Sequence, residues 1–399
     1  MSGMETIPIM TYIWGIAVVL FTFGFMIFVH ELGHFLMAKR VGITVHEFAL
    51  GFGPRLFRFR RKEDGKLSVE FSPGDIDEDE EKLEEKEVRT EYCLRIVPFG
   101  GFVRMEGEDS PGNPDDPGNF NNKTIWERAK VIVAGCAMNY VTGITMLLIV
   151  GFIWGIGMGI RPAKIGALIE GYPLEKAGVL PGDKILMVDG QPINDFEHLR
   201  NIVSAKKGGE IIELKIERPK KPAFFVKVEV MLDKESQRGM IGFMASQNAI
   251  SGFKFIKVPP KDVVLYTFNQ VKLLTLSPFI IAERLLSKKM SMGDVKKQSA
   301  GPIGIGHMIF EISKMGLAPI IYICALLSIL IGAFNLIPFP ALDGSRLLFL
   351  ALEKIRKKPL DPEKEGMIHQ VGFIVLIILV VLITWGDIVR ITSGQGFFK

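Results

Sequence analysis

Apolar residues come in long unbroken runs near both ends of this chain and alternate with polar ones in its middle. No side chain is charged from Thr11 to Val29, from Val131 to Ile160, from Gly316 to Leu342 or from Val371 to Trp385. A helix needs about 20 such residues to cross a bilayer. Four spans are therefore expected, at about 9–36, 130–157, 317–340 and 367–388. A further segment, Val263 to Ile281, is nearly as apolar, but Asn269, Gln270, Lys272 and Pro278 interrupt it. It reads as an amphipathic helix, about 261–287, lying on the outer membrane surface. A crossing there would also invert the third span and carry its far end away from the first.

Between the spans the period changes. Ile212, Leu214 and Ile216 alternate with polar residues, as do Phe224, Val226, Val228 and Val230, which predicts two half-buried strands in a water-soluble insert at about 161–232. Segments 47–54 and 93–105 mix β-formers with glycines and a proline, as a bent hairpin would, within a region 45–105. The acidic run from Asp75 to Glu91 reads as a solvated loop without chemistry. The expected architecture is a polytopic α-helical membrane protein with four transmembrane helices, a membrane-associated β-hairpin region and an inserted α+β domain. Its membrane domain comes in two parts, 1–160 and 317–399, with an outer linker at 233–316.

Composition agrees with a mixed architecture, since 48% of the 399 residues are hydrophobic and 23% charged. A net charge of +4 without a basic, aromatic-rich tract gives no reason to expect nucleic acid. The three cysteines, Cys93, Cys136 and Cys324, form no C-x-x-C pair and suggest neither a disulfide framework nor a thiolate zinc site. Basic residues follow the first span (Lys39, Arg40, Arg55, Arg58) and the third (Arg346, Lys354, Arg356, Lys357), so both loops are expected in the cytoplasm. The N terminus and the insert then face the outer side. The first span has no Lys or Arg before it, is too long for a signal peptide and is read as retained.

Chemistry enters at the end of that first span, where His30-Glu31-Leu32-Gly33-His34 closes an apolar run. On a helix, His30 and His34 share one face and can bind one zinc ion, with Glu31 beside the water that the metal would polarise. Ionisable groups at membrane depth are costly and are kept mainly where they work. Catalytic zinc usually has three protein ligands. Asp343 is the candidate for the third, in Asn335-Leu336-Ile337-Pro338-Phe339-Pro340-Ala341-Leu342-Asp343-Gly344, at the end of the third span that faces His34.

These motifs, with Phe120-Asn121-Asn122-Lys123, Trp126, Arg128 and Ala134-Gly135-Cys136-Ala137-Met138-Asn139, resemble the bacterial site-2 proteases. Those are zinc intramembrane metalloproteases of the regulator of sigma-E protease type. The family usually has proline where this chain has Cys136. The resemblance implies Zn2+ on His30, His34 and Asp343, with Glu31 as general base and then acid. It also implies that Asn335 positions substrate or stabilises the oxyanion, with Asn139 as a further candidate. In the family the hairpin region dips into the membrane and its edge pairs with substrate, which here points to Gly51, Phe52, Gly100 and Gly101. Residues 171–193 resemble a bacterial PDZ domain, with a peptide-binding strand expected at Ala163 to Ile169 beside a helix at Phe196 to Ser204.

The function expected is regulated intramembrane proteolysis in the bacterial cytoplasmic membrane. The partners would be the lipid bilayer, single-span substrates such as anti-sigma factors or remnant signal peptides, and a peptide or protein in the PDZ groove. Two other classes, a membrane metal transporter or sensor and a catalytically inactive PDZ scaffold, are weaker. The spans offer few polar residues for a path, and all four residues of the metal set are present.

Overall fold

The computed structural model describes residues 9–61, 67–71, 90–108, 115–219, 221–233, 238–245, 252–289, 300–358 and 362–392. The acidic run lies outside them from Asp75 to Thr90's predecessor, residue 89. The chain divides into one unit formed by residues 1–156 and 257–385 and a second formed by 157–256 with 386–399.

The first unit is a helical bundle with a small sheet. Helix α1 (Ile9–Arg40) ends at Lys39 and Arg40, which suit the negative end of the helix dipole. Helix α2 (Ile125–Ile153) opens on a capping box, in which Thr124 accepts from the Glu127 N–H and the Glu127 carboxylate accepts from the Thr124 N–H. Four later helices complete the bundle: α5 (Pro260–Leu286), α6 (Pro302–Ser313), α7 (Leu317–Asn335) and α9 (Pro362–Thr392). Helix α8 (Asp343–Arg356) follows α7. Helix α7 ends at Asn335, ahead of Pro338 and Pro340 and short of the expected end at about 340.

Two expectations change here. Five described helices, not four, are long and apolar enough to cross a membrane, and the fifth is α5. It does not lie across the ends of the others. A Cβ on Gly151 would overlap Val263, Tyr266 Oη lies 2.6 Å from Tyr322 Oη, and Thr275 Oγ1 lies 2.9 Å from Tyr140 Oη. Helix α5 thus runs lengthwise along α2, antiparallel to it, with Thr275 meeting α2 and Tyr266 meeting α7, while Asn269 and Lys272 stay exposed. The inversion argument fails for a physical reason. Helix α6 packs antiparallel to α1, Phe310 against Tyr12 and Gly15 and Gly306 against Val19, and brings the chain back before α7 starts. Residues 302 to 304 begin α6 with proline at its first turn, as expected of a helix start.

The sheet is more folded than a simple hairpin. Strand β1 (Val45–Arg61) and strand β3 (Glu91–Met105) are antiparallel, and β2 (Leu67–Glu70) adds to the far part of β1. Both long strands bend back on themselves. Residues 47–50 pair on one side with 101–104 and on the other with 91–94, while 55–59 pair with 92–95. The order across the sheet is therefore 101–105, 45–50, 91–95, 55–61, 67–70. At the bends Gly51 and Gly100 have φ of +95° and +105°, which side chains strongly disfavour. Buried Glu47 accepts from Arg95 at 2.8 Å and from Arg55 at 3.4 Å, and Arg58 Nε donates to Glu91 at 2.9 Å. Arg55 and Arg58, counted above among the basic residues after the first span, are buried in these pairs.

The second unit is a separate α+β domain that reaches Ile256, beyond the expected end at 232. Its strands are β4 (Ile156–Ile160), β5 (Ile165–Leu168), β6 (Lys184–Val188), β7 (Gln191–Pro192), β8 (Ile211–Glu217), β9 (Phe224–Glu229), β10 (Met231–Leu232), β11 (Gly239–Met240), β12 (Phe243–Ala245) and β13 (Gly252–Ile256). Its helices are α3 (Pro173–Lys176) and α4 (Phe196–Ser204). The main sheet has the order β7-β6-β8-β9. The inward residues Ile212, Leu214 and Ile216 are fully buried with Leu174, Ile185 and Leu199. Strand β5, the expected peptide-binding strand, is already paired with the chain's own β12, so that edge is filled. A groove of about 350 Å³ opens instead between α4 and residues 238–243.

Candidate metal centre

Helices α1 and α2 cross closely because both carry glycine at the contact. A Cβ on Gly33 would overlap the Ala134 carbonyl, and one on Gly135 would overlap the His34 ring at Nε2. The crossing brings polar groups of α2 against both histidines. His34 Nδ1 donates to the Val131 carbonyl at 2.9 Å, which fixes the ring tautomer and leaves the Nε2 lone pair free. The side-chain amide of Asn139 lies 3.2 Å from His30 Nδ1. Its Oδ1, buried without another hydrogen bond, gains the ring proton as partner if amide oxygen and nitrogen are exchanged, an assignment that hydrogen-bond networks decide. His30 Nε2 is then a free ligand as well.

Asp343 arrives from the first residue of α8. Its Oδ2 is 3.2 Å from His30 Nε2 and 3.3 Å from His34 Nε2, and the two Nε2 atoms are 3.2 Å apart. Ligands about 2.0–2.1 Å from a tetrahedral zinc are spaced roughly like this. Three lone-pair atoms facing one another without protons repel, and a cation among them removes the repulsion. The donor set therefore fits zinc. The Cys136 thiol donates to the same Oδ2 at 3.6 Å.

His30, His34 and Asp343 border a cavity of about 310 Å³. Glu31 lines it beside the histidines, and so do Gly101 to Val103 and Met105 of the edge segment of β3. A Cβ on Gly101 would stand 2.9 Å from the Ala49 carbonyl and 3.2 Å from Glu31 Cγ, so glycine lets this strand approach the carboxylate. Arg346 and Glu108, which pair with each other, and His369 complete the wall.

Of the residues expected at the site, His30, Glu31, His34, Asp343 and Gly101 come together. Gly51, Phe52 and Gly100 form the bends of the sheet, where Phe52 packs over Gly100 and none lines the cavity. Asn139 is fully buried, and its partner is His30. Asn335 does not line the cavity, since its Nδ2 donates to the Ile331 carbonyl of its own helix. Sequence reasoning missed the roles of Gly33, Gly135 and Val131. Two glycines facing each other in apolar helices were the available signal.

In the second unit, the groove wall includes Phe196, Leu199, Val203, Ile241 and Phe243, with Arg200 and Arg238 at its rim. Burial pushes the Asp183 carboxyl up, but the Arg218 guanidinium, at 2.7 and 2.8 Å, and the Leu180 N–H hold it below the ordinary aspartate range.

An apolar helical bundle that converges two imidazoles and a carboxylate, with a second carboxylate beside them, defines a membrane metallohydrolase. The chain matches Peptidase family M50 over residues 18–82 and 80–379 and belongs to it. It is 31% identical over 371 residues to the protein CPE1693 of Clostridium perfringens, covering 93% of this chain and 97% of that one. It is 27% identical over 448 residues to the zinc metalloprotease RasP of Bacillus licheniformis, covering 92% and 97%. Identity is also 27% to the regulator of sigma-W protease RasP of Bacillus subtilis, over 92% and 97%. The PDZ domain of the SdrC-like protein of Listeria monocytogenes overlays 23% of this chain and 90% of its own at 14% identity, with a TM-score of 0.19. The protein is a zinc metalloprotease with a polytopic membrane domain, and the transporter and scaffold readings give way to that class.

Proposed function

We propose that the protein is an intramembrane endopeptidase that cuts single-span membrane proteins, anti-sigma factors and remnant signal peptides among them. The observation that carries this reading is the convergence of His30, His34 and Asp343 at 3.2 to 3.3 Å inside a bundle of apolar helices, with Glu31 on the same cavity. The name of the Bacillus subtilis relative, a regulator of sigma-W protease, supports the substrate class.

Zinc bound by His30, His34 and Asp343 would acidify a water and polarise a peptide carbonyl. Glu31 accepts the proton of the attacking water and returns it to the leaving amine. Val131 and Asn139 hold the two imidazoles in the ligand tautomer. Residues 101 to 105 form the outer edge of the sheet, and no other described strand pairs with their far side. A substrate segment that unwinds there can hydrogen-bond to this edge, which keeps its carbonyls exposed beside Glu31. Basic residues beyond α1 and α8, with Lys288 and Lys289 after α5, support an orientation with the metal site toward the cytoplasm and the N terminus and insert outside. The insert is PDZ-like, and its groove between α4 and residues 238–243 would take an extended peptide.

Glu31→Gln is expected to bind zinc normally and to cleave a model single-span substrate in detergent at least about 100-fold more slowly, as loss of a general base implies. Undiminished cleavage by that variant would sink the mechanism. Trapping with it in native membranes, followed by mass spectrometry, would identify substrates, and recovery of soluble proteins alone would sink the substrate class.

A further inference from the structure

The loop from Pro338 to Leu342 presents the third ligand, and its geometry is unusual. Ala341, two residues before Asp343, has φ +81°, in the left-handed region that side chains disfavour. Within the loop the Leu342 N–H goes to the Phe339 carbonyl, which leaves the Ala341 N–H pointing away from its own segment. It donates to His369 Nδ1 at 3.2 Å, on α9. One turn further along α9, Gly372 packs so closely on Pro340 that a Cβ would overlap it. The His369 ring is fixed in turn by edge-to-face contact with Phe349 of α8, at 5.6 Å and 85°. Helix α9 otherwise shows its apolar side chains outward, Phe373, Ile374, Ile377, Ile378 and Leu382 among them. Its hydrogen bond to the loop is thus placed where the loop is strained.

We propose that His369 is a positioning residue for Asp343, holding the left-handed turn at Ala341 so that the carboxylate meets His30 and His34. The inference rests on the reading of Asp343 as a metal ligand. A left-handed alanine persists only when its surroundings over-determine it, and an N–H at membrane depth needs an acceptor. Nδ1 supplies that acceptor and must carry no proton to do so, which puts the ring proton on Nε2, facing Glu365 Oε1 at 4.0 Å. Without the bond, the turn can relax to a right-handed or extended conformation and swing the carboxylate off the metal. Partners that orient metal ligands typically contribute about 10- to 100-fold in metal affinity.

The test measures zinc affinity of the full-length protein in detergent by competition with a chromophoric chelator. Asparagine places its Oδ1 close to where Nδ1 stands, whereas glutamine mimics Nε2 instead. His369→Asn should therefore bind zinc nearly as wild type, and His369→Gln and His369→Leu should lose about 10- to 100-fold. In an Ala341→Gly background, where the turn is free of strain, the loss from His369→Leu should shrink. Equal affinity of the asparagine and glutamine variants would overturn the proposal, and this pair decides it even if the leucine variant fails to fold. Asp343→Asn run alongside separates the two readings. If it binds zinc as wild type, the ligand assignment has failed; if it weakens zinc while His369→Gln does not, only the role of His369 has failed.

Discussion

The two units of this protein differ in what stabilises each of them internally. In the insert, Ile212, Leu214 and Ile216 turn inward from one strand onto Leu174, Ile185 and Leu199, and apolar burial from water supplies the stability. In the membrane unit many large apolar residues face outward, with Phe21, Phe268, Phe373 and Leu382 all more than half exposed, and the buried apolar contacts inside are joined by glycine crossings and polar pairs. Gly143 takes Ile329 and the Ala325 carbonyl, Ser328 Oγ donates to the Asn139 carbonyl, and Tyr140 meets Thr275. Lipid is as apolar as leucine, so close approach and hydrogen bonds must do there what hydrophobic burial does in water. A methyl group added at a helix crossing and one removed from the insert's core should therefore have separate consequences.

The largest effect is expected from Gly135→Val. Its side chain would occupy the space of the His34 ring and separate α1 from α2, abolishing zinc binding and cleavage together. Zinc content after purification measures this, and a wild-type content would break the claim that the crossing builds the site. Leu214→Ala is the counterpart. It should destabilise the insert by about 2–5 kcal/mol, seen as faster hydrogen exchange confined to residues 157–256, with zinc content unchanged. A loss of zinc in that variant would mean that the units are not energetically separate. Asn139→Ala should come next, lowering zinc affinity about 10- to 100-fold by freeing the His30 ring, while the helices stay folded.

The same contrast explains what could be read from the sequence. Period-two alternation located β8 and β9, and uncharged length located α1, α2, α7 and α9, because each signal reflects one solvent. Helix α5 was set apart from the spans on the strength of Asn269, Gln270 and Lys272, whereas its contacts with α2 and α7 run through Val263, Tyr266 and Thr275, which no polarity pattern marks. The His-Glu-x-x-His spacing marks a metal pair within one helix turn, but the convergence of Asp343 on it depends on an antiparallel α2 and α7 that bring residues 136 and 332 into contact. Asn335 and Asn139 could not be sorted by type, since the same side chain caps its own helix at one position and orients an imidazole at the other. The filled edge of β5 was hidden for a similar reason, because β12 lies far along the chain and is too short to show a period.

The smallest predicted effect concerns the insert's own buried charge, and it tests whether water-side rules hold there. Asp183 is 1% exposed and paired with Arg218, and its folded carboxyl sits below the ordinary range. A carboxylate depressed in the folded state binds its proton more readily when unfolded, so the pair stabilises the insert above the unfolded value near about pH 4. That contribution is lost as pH falls through the folded value. Asp183→Asn should thus cost about 1–3 kcal/mol near neutrality, read as local opening by hydrogen exchange, and the gap to wild type should narrow below about pH 4. A gap that stays constant with pH would mean that the amide fails by shape and hydrogen bonding rather than by charge. A gap absent at every pH would show that the insert tolerates losing this ion pair as a surface would.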